Sequence, residues 1–223
     1  MIGTTGRLPR YAPLSGILAA GLAFAGLAVV ETSNSTPDDP TPAQALAYIE
    51  AHGDAALLGA WLVALGLVAF YWFLGSLRAA LHEAEGGPGR LATTAFGGGL
   101  ASAVLLVAAI APTASAAIAT RDADNLSPEA AQAVLHVGDA FFPAAFMAMS
   151  VPLAATALVA LRTRVLPRWF GAVSAVLAVA LLIPFVQWLT FGFAFPVWLV
   201  LCSLLLVWRR APRRQVAADP LPA

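Results

Sequence analysis

Long apolar runs separated by short polar segments dominate the chain. A membrane-spanning helix needs about 20 mostly apolar residues to cross roughly 30 Å of hydrocarbon, and six runs come close to or exceed that length. Ten-residue segments that alternate apolar and polar positions, as in a membrane barrel, are absent from the sequence. The pattern therefore predicts an all-α, polytopic membrane helix bundle with six transmembrane helices. Their approximate positions are 13–30, 55–77, 91–120, 134–161, 169–189 and 191–208.

Two helix starts can be recognised between these runs. Thr41 to Gln44 has the Thr-Pro-x-Gln spacing of a capping box. An apolar stripe that includes Ala45 and Ile49 follows it, which predicts a short outer amphipathic helix that stops at Gly53, before the second span. Ser127 to Glu129 is a similar start, from which we expect the helix to continue without a break into the fourth span.

The six spans are predicted to form one transmembrane domain over residues 1–210, followed by a disordered cytoplasmic tail at 211–223. The first apolar run also has an alternative interpretation, because Arg7 and Arg10 precede it as they would precede a signal-peptide core. No small-x-small cleavage pattern follows that run, so we expect it to be retained as a span.

Arginines are distributed unevenly between the connections. All twelve basic residues are arginine, and eleven of them lie on alternate connections, whereas the remaining connections hold only Arg121. Since Lys and Arg resist translocation, this bias predicts a multi-pass plasma membrane protein with both termini in the cytoplasm. The eleven are Arg7, Arg10, Arg78, Arg90, Arg162, Arg164, Arg168, Arg209, Arg210, Arg213 and Arg214.

Composition excludes several function classes. Hydrophobic residues make up 60% of the chain and charged residues 11%, too few to cover a soluble globule, so a soluble enzyme is excluded. The arginines lie in short clusters rather than on one basic face, which argues against a nucleic-acid partner. No HExxH, GxSxG or paired intramembrane aspartate motif occurs, so we expect no enzymatic activity and no cofactor.

Four ionisable residues lie where predicted spans meet the outer interface. His52 and Asp54 precede the second span, and His136 and Asp139 occupy the matching place at the start of the fourth. Ionisable groups near or in a membrane are functional candidates, so these side chains could form a metal site, a proton-sensitive pair or the entrance to a polar path. The alternative is that Asp54 caps a helix, that Asp139 does the same or faces water, and that the histidines lie in solvated loops. The sequence leaves the presence of a metal undetermined.

The third span is rich in small residues, with Gly97-Gly98-Gly99 and Ser102. Small residues and hydroxyls allow close helix packing in membranes, so we expect a central helix whose glycines serve packing. A phosphate-binding loop is disfavoured, because no strand precedes the glycines and no Lys follows them.

Several of these segments together resemble uncharacterised actinobacterial integral membrane proteins. The resemblance covers about residues 10–210 and implies a multi-pass membrane fold, but no established activity or site. The segments that carry it are the outer helix 41–52, the run Trp72 to Arg78, the loop Glu85 to Leu91, the glycine triplet, and Leu161 to Trp169.

Two functions are therefore expected. The first is a non-enzymatic accessory or interaction protein that contacts membrane lipid and either a protein partner or a second copy of itself. The second is a small transporter or sensor that uses His52, Asp54, His136 and Asp139 at the extracytoplasmic mouth. The sequence identifies no small-molecule ligand.

Overall fold

Helices account for every regular element in the residues that the computed structural model describes, which are 11–31, 39–121 and 126–209. The all-α bundle predicted from the sequence is confirmed. After a 3₁₀ turn at Ala12–Leu14, the elements are α1 (Ser15–Glu31), α2 (Pro42–Glu85), α3 (Arg90–Ala119), α4 (Pro128–Thr163), α5 (Arg168–Ala180), α6 (Pro184–Leu189), a π-helical turn (Thr190–Ala194) and α7 (Phe195–Arg209). The predicted tail at 211–223 lies outside the described residues, as do Arg7 and Arg10.

Five helical stretches in the described ranges are long and apolar enough to cross a membrane. They are Ala12–Val29, Pro42–Glu85, Arg90–Ala119, Pro128–Thr163 and Pro184–Arg209. The predicted fifth span at 169–189 is not one continuous helix, because α5 has only 13 residues and ends at Ala180. At 1.5 Å per residue it is about 20 Å long, shorter than the hydrocarbon layer.

The break after α5 is caused by Pro184. Proline disfavours the helical conformation in the residue before it, and Ile183 is extended, with φ −100° and ψ 112°. From Pro184 the chain remains helical through the π-helical turn to Arg209. The sixth span thus begins seven residues earlier than the predicted 191.

Helix α2 begins with the predicted capping box, but it does not end at Gly53 as predicted. The Gln44 backbone N–H donates to Thr41 Oγ1 at 3.4 Å, and the Thr41 N–H donates to Gln44 Oε1 at 2.9 Å. The helix then continues through Gly53 for 44 residues, so the separate short amphipathic helix is wrong. A glycine inside a helix costs about 1 kcal/mol but does not end it. Gly53 is buried against α3, where a Cβ would lie 3.3 Å from that of Ala117.

The apolar stripe of this first part of α2 packs against α3 and α4. Ala45 and Ile49 are fully or almost fully buried in a small cluster with Ala116, Ala131 and Leu135. The Ala130 N–H donates to Ser127 Oγ at 3.2 Å, and α4 runs unbroken for 36 residues, so the predicted second start is confirmed.

Helix α3 packs between α2 and α4 through its small residues. The Ser102 hydroxyl is buried and donates to the Ala145 carbonyl of α4 at 2.7 Å. A Cβ on Gly98 would lie 2.6 Å from Val151 Cβ, and one on Gly99 would lie 2.6 Å from Leu74 Cδ2. These close contacts confirm the packing role for Gly98 and Gly99, whereas Gly97 is exposed and has no atom within 4 Å of the position of a Cβ.

An array of aromatic rings runs through the main core. Consecutive ring centroids are 4.3–5.8 Å apart, within the usual range for paired aromatic side chains. The array consists, in order of contact, of Trp169, Phe170, Trp198, Phe195, Phe191, Phe146, Trp188 and Phe142. It connects α5 and α7 to the middle of α4.

At the arginine-rich end, defined by Arg78, Arg90, Arg162, Arg168 and Arg209, the turn between α2 and α3 is held by a carboxylate. The two oxygens of Glu85 accept the backbone N–H groups of Leu91 and Ala92, each at 3.1 Å. These N–H groups belong to the first turn of α3, which has no intrahelical partners for them. The hydrogen bond from Leu91 is the main cause that holds the pKa of Glu85 below its usual value.

We predict that Glu85→Gln lowers thermal stability at pH 7 and that the difference from wild type disappears in acid. A carboxyl whose pKa is lower in the folded state stabilises the fold above its unfolded pKa, and the benefit is lost as pH falls through the folded pKa. Melting temperatures of both proteins in nonionic detergent, measured from pH 7 to about pH 3, check this. Glu83→Gln is the control, because Glu83 lies 3.8 Å from Arg209 rather than at a helix start. A difference that persists unchanged in acid would contradict the assignment.

Candidate functional site

The four candidate residues lie inside helices near the arginine-poor end, the end that carries Arg121. Asp54 is twelve residues after Pro42 in α2, and Asp139 is eleven residues after Pro128 in α4. Only the first turn of a helix has unpaired N–H groups, so the interpretation of these aspartates as caps is wrong. The histidines are also helical, so their placement in solvated loops is wrong too.

Asp54 and His52 contact other residues at this end of the bundle and do not line a described cavity. Asp54 forms an ion pair with Arg121, and the two side chains are 90% and 55% exposed. An exposed pair of this kind contributes little stability, but it connects α2 to the end of α3. His52 Nδ1 lies 3.0 Å from the Tyr48 carbonyl oxygen, and the two rings are 4.8 Å apart.

His136 faces a different neighbour. Its Nε2 lies 3.8 Å from Asp39 Oδ1, too far for a hydrogen bond. The described part of the chain contains no group of three or more His, Cys, Asp or Glu side chains placed to hold a metal ion. Zinc requires three or four such donors, so these residues do not provide its coordination shell.

Asp139 instead lines a partly open cavity of the bundle and is itself exposed. The cavity-facing residues of α4 recur at alternating intervals of four and three, the spacing of one helix face. They are Leu135, Asp139, Phe142, Phe146 and Met149. Asp139 is therefore the polar member of an otherwise apolar stripe.

The cavity has a volume of about 250 Å³ and is bordered by five parts of the fold. Helix α1 contributes Ala19 to Leu27, α2 contributes Tyr48 to Phe70, and α3 contributes Leu106 to Thr113. The segment from Trp188 to Leu199 closes the remaining side. Its walls are mainly apolar, as in most small-molecule sites.

The π-helical turn forms part of this wall. Phe191 and Gly192 of the turn line the cavity, and the Phe191 ring lies 4.3 Å from that of Phe146. On the outside of the turn, Phe193 contacts Phe24 of α1 edge to face at 6.5 Å. Insertions of π-helix are rare and occur frequently at functional sites, which gives this wall a second unusual feature.

Aromatic rings line the same cavity as Asp139. Phe142 is one helical turn further along α4, and its ring centroid is 5.1 Å from that of Trp188. Tyr48 and Thr113 also line the cavity. Of the described residues that form its walls, Asp139 alone carries a formal charge at neutral pH.

Sequence analysis identified Asp139 as a candidate but missed the cavity. The spacing of the α4 stripe was a usable signal, because it places Asp139 on the same face as Phe142 and Phe146. The contribution of α1 and of the π-helical turn had no comparable signal, since it depends on contacts between distant parts of the chain.

Comparison of the chain with protein-family models, with curated proteins and with solved structures finds no match.

Proposed function

We propose that the protein is a non-enzymatic, multi-pass membrane protein that binds a small molecule with an apolar body in its helix bundle. The observation that carries this proposal is the mainly apolar cavity between α1, α2, α3, α4 and the π-helical turn. Its 250 Å³ lies just below the roughly 300–1,000 Å³ typical of ligand pockets, so the ligand is small. Of the two functions expected from the sequence, the cavity favours the transporter or sensor over the accessory or interaction protein.

We further propose a location in the plasma membrane with both termini in the cytoplasm, where α5 and the segment Pro184–Arg209 together leave the arginine-rich end and return to it. In support, the ends of α2, α4 and α7 and the starts of α3 and α5 all carry arginine or lie beside it, whereas the opposite end of the described structure carries Arg121 alone. The positive-inside rule assigns the arginine-rich end to the cytoplasm. The resemblance to actinobacterial membrane proteins remains a prediction.

Filling the cavity tests the proposed function. Ala60 of α2 lines it, so Ala60→Leu would place a branched side chain in the space that the ligand occupies. We expect wild-type protein in lipid nanodiscs to bind the neutral probe neopentylbenzene saturably, and Ala60→Leu to bind it roughly tenfold more weakly. Equilibrium dialysis measures this, with partitioning into empty nanodiscs subtracted.

Ala64→Leu is the matched control. Ala64 is on the same helix but is exposed and is not a wall residue, so its variant should bind as wild type does. Equal melting temperatures of the two variants would establish that both are folded. Absence of saturable binding in wild type, or unchanged binding in Ala60→Leu, would overturn the proposed function.

A further inference from the structure

The wall of the cavity is mainly apolar but contains one carboxylate, that of Asp139. A carboxylate near a membrane interior is costly, and a positive charge beside it offsets much of that cost. Among the described residues, Asp139 forms no ion pair within 4.0 Å. Arg121, the one arginine described at this end, pairs with Asp54, and His136 lies one helical turn before Asp139 without forming an ion pair with it.

From this arrangement we propose that the ligand is an organic cation with an apolar body, whose positive charge lies beside Asp139. The inference rests on the proposed function and names its ligand class. A carboxylate supplies the opposite charge, and the apolar remainder of the cavity accepts the body of the ligand.

Aromatic side chains in the wall of the same cavity point to the same class of ligand. Phe142 and Trp188 both line the cavity with ring centroids 5.1 Å apart, and Tyr48 lines it from α2. The faces of such rings attract ammonium groups, most strongly where water is excluded. A carboxylate together with aromatic rings is therefore a recognition site for an alkylated ammonium rather than for a metal ion, which needs more oxygen or nitrogen ligands.

The test uses two probes of the same shape that differ in charge. Benzyltrimethylammonium has a quaternary nitrogen where neopentylbenzene has a quaternary carbon. Binding of both is measured by equilibrium dialysis in nanodiscs, and the readout is the ratio of cation affinity to neutral-probe affinity. Because both probes are measured on each protein, a general loss of folding lowers both affinities and is distinguishable from a loss of charge recognition.

We expect Asp139→Asn to lower this ratio roughly tenfold or more, since it removes the charge but keeps the shape. Asp139→Ser is measured in parallel, so the assignment does not rest on one substitution. Asp54→Asn is the matched control, because Asp54 is the equivalent residue of α2 but pairs with Arg121 outside the cavity. It should leave the ratio unchanged.

The outcomes separate the two proposals. A ratio that is unchanged in both Asp139 variants, or a wild type that binds only the neutral probe, would overturn the cationic ligand and leave the proposed function standing. Failure of wild type to bind either probe would overturn both. A lowered ratio in the Asp139 variants with an unchanged ratio in Asp54→Asn would establish the inference.

Discussion

Phe146→Ala is expected to lower the free energy of unfolding in detergent by about 2–3 kcal/mol. Phe146 is completely buried, and its ring contacts those of Phe191 and Trp188 at centroid distances of 4.3 and 4.9 Å. In water, removing a buried phenylalanine costs about 3–5 kcal/mol, part of which is the transfer of apolar surface from solvent. In a membrane that transfer term is small, because lipid is as apolar as the core, and the loss of packing contacts remains.

A second phenylalanine provides the control for this prediction. Phe185, at the start of α6, is 98% exposed, so Phe185→Ala should change stability by less than about 0.5 kcal/mol. Unfolding of both variants in mixed detergent and SDS, followed by circular dichroism, gives the comparison. Equal effects of the two substitutions would show that the aromatic array of α4, α6 and α7 does not stabilise the bundle.

Local signals in the sequence were sufficient for most helix starts. Thr41 with Gln44, and Ser127 with the Ala130 N–H, satisfy backbone N–H groups within four residues of chain, and the structure has both helices beginning there. The packing of Gly98 and Gly99 could also be predicted, because small residues in an apolar helix have few other uses.

Helix ends were predicted less well because tertiary contacts decide them. Glycine often follows the last residue of a helix, but Gly53 lies within the continuous helix α2, where it packs closely against Ala117. Pro184 gave the opposite error, since apolar residues on both sides of it hid a true break at Ile183. In both cases hydrophobicity alone does not determine whether the backbone stays helical.

The four candidate residues could be chosen from their ionisable side chains, but only the structure shows which of them lines the cavity. The rarity of charge near the spans was enough to select His52, Asp54, His136 and Asp139, and all four lie toward one end of the bundle. His52 and Asp54 are only two residues apart in α2, yet Asp54 forms an exposed ion pair with Arg121, whereas His52 contacts the Tyr48 carbonyl oxygen of its own helix. Only Asp139 lies on the face that α1 and the π-helical turn enclose, which depends on contacts between residues more than 100 positions apart, such as Phe24 and Phe193.

Gly138→Leu is expected to reduce the free energy of unfolding by on the order of 3 kcal/mol and to abolish binding in the cavity. Gly138 is buried where α4 crosses α3, and a Cβ there would lie 2.8 Å from the Ala109 carbonyl oxygen. Because that atom belongs to the backbone, a larger side chain must push the two helices apart. Asp139 is the next residue and Ala109 also lines the cavity, so the same displacement changes the site.

Gly97→Leu distinguishes this close approach from a general effect of replacing helical glycines. Gly97 lies in α3, is exposed, and has no atom within 4 Å of the position of a Cβ, so leucine there has room and should raise helix stability slightly. Both variants are compared with wild type by unfolding in detergent and by probe binding in nanodiscs. If Gly138→Leu kept wild-type stability and binding, α3 and α4 would be far enough apart to admit a side chain, and the small-residue contact would not position Asp139.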